Sequence, residues 1–168
     1  MTENSTELAL IDPRSKPVPT TKILLVEDNP GDVRMVRETL AGQNLAVFQV
    51  ITADRLGEAM IRLRRERFEA VLLDLSLPDA HDLDTLRRMR RSAPAIPIVV
   101  MTGLADEALA IKAVNEGAED YLVKGEADGV ALARRLLFAI ERRRGSWARP
   151  ANDAHPQMCK TLALIGSN

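Results

Sequence analysis

The sequence is short of three things, and each absence narrows what the chain can be. Its single cysteine, Cys159, excludes an internal disulfide and a thiolate zinc site. It has no excess of charge: 23 Lys and Arg stand against 24 Asp and Glu, so no bulk attraction to nucleic acid or to an anionic membrane surface is expected. It also has no apolar run of the length needed for export or for crossing a membrane, so a cytoplasmic location without membrane insertion is expected. In that setting the Asn4-Ser5-Thr6 glycosylation sequon is a chance match. Basic clusters do occur at Arg62 to Arg67, Arg87 to Arg91 and Arg142 to Arg144, but acids and apolar residues interrupt them on predicted helices. They read as solvated helix faces, and no direct nucleic-acid partner is expected.

What is present is an alternating pattern. A chain of 168 residues that is 46% hydrophobic has the size of one domain and enough apolar material for a core. Residues 1–20, with Pro13, Pro17 and Pro19 among polar residues, read as a flexible arm. From residue 21, an apolar run through Val26 is followed by the turn chemistry of Asn29-Pro30-Gly31-Asp32, with Asp32 the expected cap of a helix through Val33, Val36 and Leu40 that ends at Gly42. A strand over Ala46 to Ile51 and a helix introduced by Asp54, with Leu56, Ala59, Met60 and Leu63 on one face, complete a βαβ unit. The alternation continues with a strand at 69–74, a helix at 82–92, a strand at 97–102, a helix at 105–116, a strand at 119–123 and a helix at 126–144. Strict alternation predicts an α/β fold, a five-stranded parallel sheet covered by helices on both faces. In the last helix Val130, Ala133, Leu137 and Ile140 are expected to face the sheet, leaving Leu132, Leu136 and Phe138 as surplus apolar surface for a partner. Residues 145–168, with Trp147 and the Met158 to Ile165 segment, are expected to be a tail or short appendage, too short for a separate output domain.

The chemistry sits at the strand ends. The first strand closes on Glu27-Asp28, the third on Asp74, the fourth on Thr102 and the fifth on Lys124. Taken singly, each is an ordinary turn or cap residue. Their joint placement at the carboxyl ends of four strands is not ordinary. In the doubly wound order 2-1-3-4-5 the topological switch point lies between strands one and three, the two that end in carboxylates, so the expected ligand crevice and the acidic cluster coincide. Three carboxylates with no His or Cys nearby suit a hard cation such as Mg²⁺.

The stretches ILLVEDNPGD, VLLDLSLPD, IPIVVMTG and GAEDYLVKG make the chain resemble the receiver domain of two-component response regulators, over roughly residues 21–144. The resemblance is closest in kind to the single-domain, chemotaxis-type receivers, and it implies the flavodoxin-like (βα)5 fold. It further implies that Asp74 accepts a phosphoryl group from a sensor histidine kinase or a histidine phosphotransfer protein. Mg²⁺ would be held by Glu27, Asp28, Asp74 and the backbone carbonyl of Ser76, with Lys124 and Thr102 contacting the phosphoryl oxygens. Thr102 and Tyr121 would act as the switch pair, and the fourth helix, fifth strand and fifth helix would form the output surface for a downstream protein or a homodimer. The resemblance also places Ser76 and Leu104 where members of the family tune access of hydrolytic water, so the apolar Leu104 is expected to slow self-dephosphorylation.

Two local departures stand out. Gly125 follows Lys124 where many receivers have proline, and Asp82 takes a place where glycine is frequent, in a turn that Asp tolerates. The expectation is a stand-alone response regulator that is not an enzyme in the ordinary sense. Its rival is a pseudo-receiver, a scaffold or dimerisation module on the same fold that is never phosphorylated. A related Mg²⁺-dependent phosphohydrolase is disfavoured because Ser76 stands where such an enzyme needs a second acid. His81, expected in an exposed loop, and His155 are given no role.

Overall fold

A computed structural model describes residues 20–103 and 107–145, except for the side chain of Glu107. The elements in chain order are β1 (Thr20–Val26), α1 (Pro30–Ala41), β2 (Val47–Ala53), α2 (Leu56–Arg65), β3 (Ala70–Asp74), β4 (Ser76–Leu77), β5 (Ala80–His81), α3 (Asp82–Ser92), β6 (Ile98–Thr102), α4 (Glu107–Asn115), β7 (Asp120–Val123) and α5 (Gly129–Arg143). Five of the strands form one parallel sheet in the order β2-β1-β3-β6-β7, the doubly wound arrangement. The remaining two, β4 and β5, are a minute antiparallel hairpin just after β3 that the sequence pattern does not show.

The central strands are apolar along their whole length because both of their faces are covered. Ile23, Leu25, Ala70, Leu72, Val99 and Met101 point to one side, where they pack with Val36 and Leu40 of α1 and Leu132, Leu136 and Ile140 of α5. The alternate residues Leu24, Val26, Val71, Leu73, Ile98 and Val100 pack on the other side with Leu56 and Ala59 of α2, Leu86 and Met89 of α3 and Ala113 of α4. Because every sheet strand runs the same way, all five carboxyl ends emerge at one edge. That edge holds the acidic residues.

Several expectations about helix ends need correction. The cap of α1 is Asn29, whose Oδ1 accepts from the Gly31 amide at 2.8 Å, and Asp32 lies inside the first turn. Asp54 does not start α2 either: position 55 precedes the first helical residue and makes no side-chain cap. The free amides of Leu56 and Gly57 instead donate, each at 2.9 Å, to the two oxygens of Asp79, which arrives from the β4–β5 turn. A carboxylate there also answers the positive end of the helix dipole. In α5 the buried residues are Leu132, Ala133, Leu136, Ala139 and Ile140, so Leu132 and Leu136 face the core while Val130 is exposed and Leu137 only half-buried. The observed stripe is rotated from the expected one toward Ala139, which lies on its flank and is small enough to pack closely in the core.

The basic clusters are more than solvated faces. Arg87 Nε donates to Glu116 Oε2 at 2.6 Å, and Arg90 donates to the Gly117 carbonyl, so α3 grips the turn that ends α4. Gly117 has a φ of +100°, and a Cβ there would press into the Arg90 guanidinium. Asp82 adopts a φ of 53°, the left-handed conformation expected of it, and His81 is exposed. The expected arm at 1–20 has only Thr20 among the described residues, where it opens β1; Trp147, His155, Cys159 and the Met158 to Ile165 segment all lie outside them.

Burial works to raise the Asp79 carboxyl, but the amides of Gly57 and Leu56 outweigh it and hold the group below its ordinary value of 3.8. A depressed carboxylate contributes stability that is present above its unfolded value and is lost as pH falls through its folded value. Asp79→Ala is therefore expected to cost about 1 kcal/mol at neutral pH, typical of a helix cap. Urea unfolding should show this cost shrinking in acid, as the pH falls from the ordinary Asp range through the lowered folded value; an undiminished cost there would assign the loss to packing.

Candidate functional site

The site is built from four strand ends and one helix. Glu27 follows β1 directly and is almost completely buried, at 2% exposure, because its amide continues the β1–β2 ladder by donating to the Ala53 carbonyl at 3.0 Å. Its Oε1 accepts from the Asn29 amide at 3.0 Å, so the carboxylate folds back over the start of α1. Asp28, next in the chain, points outward and is exposed. Asp74 ends β3 with 6% exposure, and its Oδ1 accepts from the Ser76 amide at 3.1 Å. Glu27, Asp28 and Asp74 each present an oxygen within 4.8 Å of the others, a group that could hold a metal ion. Thr52, Asp54 and Arg34 line an open groove that leads to Glu27 and Asp28 from the β2 side.

Lys124 closes the cluster. Its amide donates to the Thr102 carbonyl at 2.8 Å, which carries the chain across the end of the sheet. Its Nζ donates to Asp74 Oδ2 at 2.7 Å and to Asp32 Oδ2 at 2.8 Å, and lies 2.6 Å from Glu27 Oε2. The contact with Glu27 is a charge contact without hydrogen-bond geometry, leaving Oε2 a buried acceptor with no donor. Burial alone would lower the Lys124 ammonium, but its hydrogen bonds with Asp32 and Asp74 and its charge contact with Glu27 prevail and hold it well above the ordinary lysine value. Burial raises the Glu27 carboxyl, the neighbouring Asp74 charge adds to the rise, and Lys124 and the Asn29 amide oppose it.

Thr102 is buried at the end of β6, and its Oγ1 donates to the Gly103 carbonyl at 3.4 Å. It stands opposite Val123 in the β6–β7 register, one residue from Lys124. These contacts make a polar edge on an apolar sheet: an acidic hollow, one ammonium spanning it and one hydroxyl beside it. Such a hollow attracts a cation and, with that cation's charge in place, an anionic group next to Asp74.

The model of the response regulator receiver domain matches residues 23–135. The chain belongs to that family. Among curated receiver-containing relatives it is 32% identical to the KDP operon transcriptional regulatory protein KdpE of Escherichia coli, over 73% of this chain and 52% of that one. It is likewise 32% identical to the cell cycle response regulator CtrA of Brucella ovis, over 73% of this chain and 50% of the relative. The chain thus spans about half the length of these regulators. Among solved structures, the receiver domain of a two-component response regulator from Bacteroides fragilis superposes with a TM-score of 0.63 at 32% identity, covering 73% of this chain and 98% of that one. A CheY-like receiver from Methanospirillum hungatei shares the fold, with a TM-score of 0.61 at 20% identity over 77% of this chain and all, 100%, of that one. The doubly wound (βα)5 architecture is the flavodoxin-like fold of receivers, with β6 and β7 as the fourth and fifth strands of the sheet.

Of the residues singled out in the sequence, the receiver fold brings Glu27, Asp28, Asp74 and Lys124 into one cluster and sets Thr102 at its edge. Ser76 reaches it through its amide. Tyr121 is not in the cluster: it is half-buried on β7 and packs with the α2–α4 side of the core. Leu104 lies outside the described residues. The residue that sequence reasoning missed is Asp32, taken there for a cap. The signal was legible, since an acid in the first turn of a helix that begins at the carboxyl end of a strand must lie beside whatever that end carries.

Without a cation the cluster holds more carboxylates than its ammonium can balance. A divalent cation should therefore raise the unfolding midpoint, by the equivalent of about 1.4 kcal/mol at ten times its dissociation constant. Asp28→Asn is expected to be at least as stable as the parent in metal-free buffer and to lose most of the cation-dependent increment. Thermal denaturation with and without Mg²⁺ reads both; an increment that survives the substitution would remove Asp28 from the binding set.

Proposed function

We propose that this receiver accepts a phosphoryl group on Asp74 from a sensor histidine kinase or a histidine phosphotransfer protein, and signals through a surface that responds to the modification. The observation that carries the reading is the placement of Lys124 Nζ, 2.7 Å from Asp74 Oδ2 inside a carboxylate cluster. An ammonium fixed against a largely buried carboxylate can follow that carboxylate's charge onto a transferred phosphoryl group. In the transfer, an Asp74 oxygen forms a bond to phosphorus while the phosphorus–nitrogen bond to the donor imidazole breaks, and the imidazole nitrogen keeps the electron pair. Lys124 then faces the phosphoryl oxygens, and the Thr102 hydroxyl, freed from its long 3.4 Å contact with Gly103, donates to one of them.

The donor set suits Mg²⁺: it is all oxygen, and it includes the buried Glu27 Oε2 that lacks a hydrogen bond. Glu27, Asp28, Asp74 and the Ser76 carbonyl would hold the ion, whose charge offsets the repulsion between carboxylate and phosphoryl group. Output through α4, β7 and α5 is part of the proposal, with Thr102 and Tyr121 as the switch pair. Its support is apolar surface on α5 beyond the core-facing stripe, where Val130 is 37% exposed. A downstream protein or a second copy would dock on this surface. A stand-alone mode of action in the cytoplasm belongs to the same proposal, since this surface supplies an output from the receiver itself; among the described residues no helix is long and apolar enough to cross a membrane.

Intact-mass measurement after incubation with acetyl phosphate and Mg²⁺ tests the reading. A single phosphoryl adduct is expected in the parent protein, and none in Asp74→Asn or in metal-free buffer. Absence of the adduct in the parent, with cation binding shown separately, would replace the phosphoacceptor by a pseudo-receiver that works as a scaffold.

A further inference from the structure

Lys124 occupies a stretch of chain with little local support. It directly follows β7, and the next residue, Gly125, has a φ of +83°, with space so open that a Cβ would meet nothing within 4 Å. The lysine backbone is tied to Thr102, but four rotatable side-chain bonds separate that tie from the ammonium. Its aim therefore comes from the three carboxylates around it. Two of these, Glu27 and Asp74, belong to the group that could hold a cation, and Asp74 is also the proposed phosphoacceptor. Neither can keep an unchanged hold on the ammonium while it performs those roles.

Asp32 is different. It is not one of the metal-holding residues, and the capping of α1 is done by Asn29. Its carboxylate meets Lys124 across 92 residues of chain at 2.8 Å, and both side chains are largely shielded, at 27% and 19% exposure. The helix that carries it is firmly seated, with Val36 and Leu40 in the core. The same helix fixes the far end of the Lys124 loop: at Gly129 a Cβ would overlap the Thr39 carbonyl, so α1 and the start of α5 are in direct backbone contact. The loop is thus gripped by α1 at both ends, through Asp32 at Lys124 and through Thr39 at Gly129.

We propose that Asp32 is the positioning residue for Lys124, holding its ammonium from the α1 side so that it stays aimed at the phosphoryl oxygens after Asp74 and Glu27 have exchanged their contacts. This deepens the phosphoacceptor reading and rests on it. In this chain, side-chain anchoring from α1 supplies the rigidity that the glycine after Lys124 does not.

The test compares the full chain with Asp32→Asn and Asp32→Glu by two measurements. The first is the rate of phosphoryl-adduct formation on Asp74 over a range of acetyl phosphate concentrations at saturating Mg²⁺. A contact that matters in the transfer itself lowers the maximal rate rather than donor binding. Asp32→Asn is expected to lower the maximal rate about tenfold, with the half-saturating donor concentration changed by less than about twofold, and Asp32→Glu to recover most of the loss. The second is the nitrogen-15 spectrum of the lysine side chains without phosphodonor. A held ammonium gives a resonance protected from solvent exchange, expected for Lys124 in the parent and in Asp32→Glu and lost in Asp32→Asn. A parent-like maximal rate in Asp32→Asn, or a Lys124 resonance that is unprotected in the parent or unchanged in Asp32→Asn, would overturn the proposal. If the parent forms no adduct at all, the phosphoacceptor reading falls, and the lysine spectra alone decide whether Asp32 positions Lys124.

Discussion

Everything at the carboxyl edge of the sheet depends on one electrostatic problem: three carboxylates, from Glu27, Asp32 and Asp74, surround the Lys124 ammonium, and a fourth, Asp28, lies beside Glu27 and Asp74. A cluster of that sign would push itself apart on an open surface. Here the backbone does not allow it. Asp74 sits on a strand that is buried from end to end, Glu27 directly follows another, and both strands are locked in register with their neighbours. The hydrophobic energy of the sheet, of the order of 2 kcal/mol for each fully buried Leu or Val, holds the charges where they repel. The strain is relieved in part by Lys124, and the remainder is what makes the group one that could hold a metal ion.

The same layout accounts for what the sequence did and did not reveal. Runs such as Ile23 to Val26 and Ala70 to Leu73 announce buried strands because an all-apolar run closed by an acid has few other uses in a folded chain, and the termini of those strands then name the site. Helix ends were harder to read. Asn29, Asp32, Asp54 and Asp79 are all competent caps, and the choice among them was made by tertiary contacts that no local pattern records. Asp79 serves a helix whose first residue lies 23 positions earlier, and Asp32 was drawn from capping to Lys124, 92 positions later. The face of α5 was misjudged for a related reason: a small residue such as Ala139 contributes little to an apolar pattern and a great deal to close packing.

The site and the rest of the receiver are joined by side chains that reach between elements rather than along them. Asp79 ties the segment after β3 to α2, Asp32 ties the lysine loop to α1, and Arg135 ties α5 to β7 through Asp120 and the Tyr121 carbonyl. A change of charge at Asp74 would therefore be felt first where these ties begin. It would reach the outer helices as a shift in which contacts are satisfied, without any need to deform the core.

The grip of α3 on the end of α4 sets how that helix can move. With Glu116 and Gly117 held by Arg87 and Arg90, the carboxyl end of α4 is a fulcrum, while its first residue, Glu107, follows Thr102 by only five positions. A nine-residue helix is about 13 Å long, so a tilt of about ten degrees about that fulcrum sweeps its free end through about 2 Å and leaves the pinned end in place. The amino end of the helix is the long arm of such a tilt. That stroke is comparable to the length of a hydrogen bond.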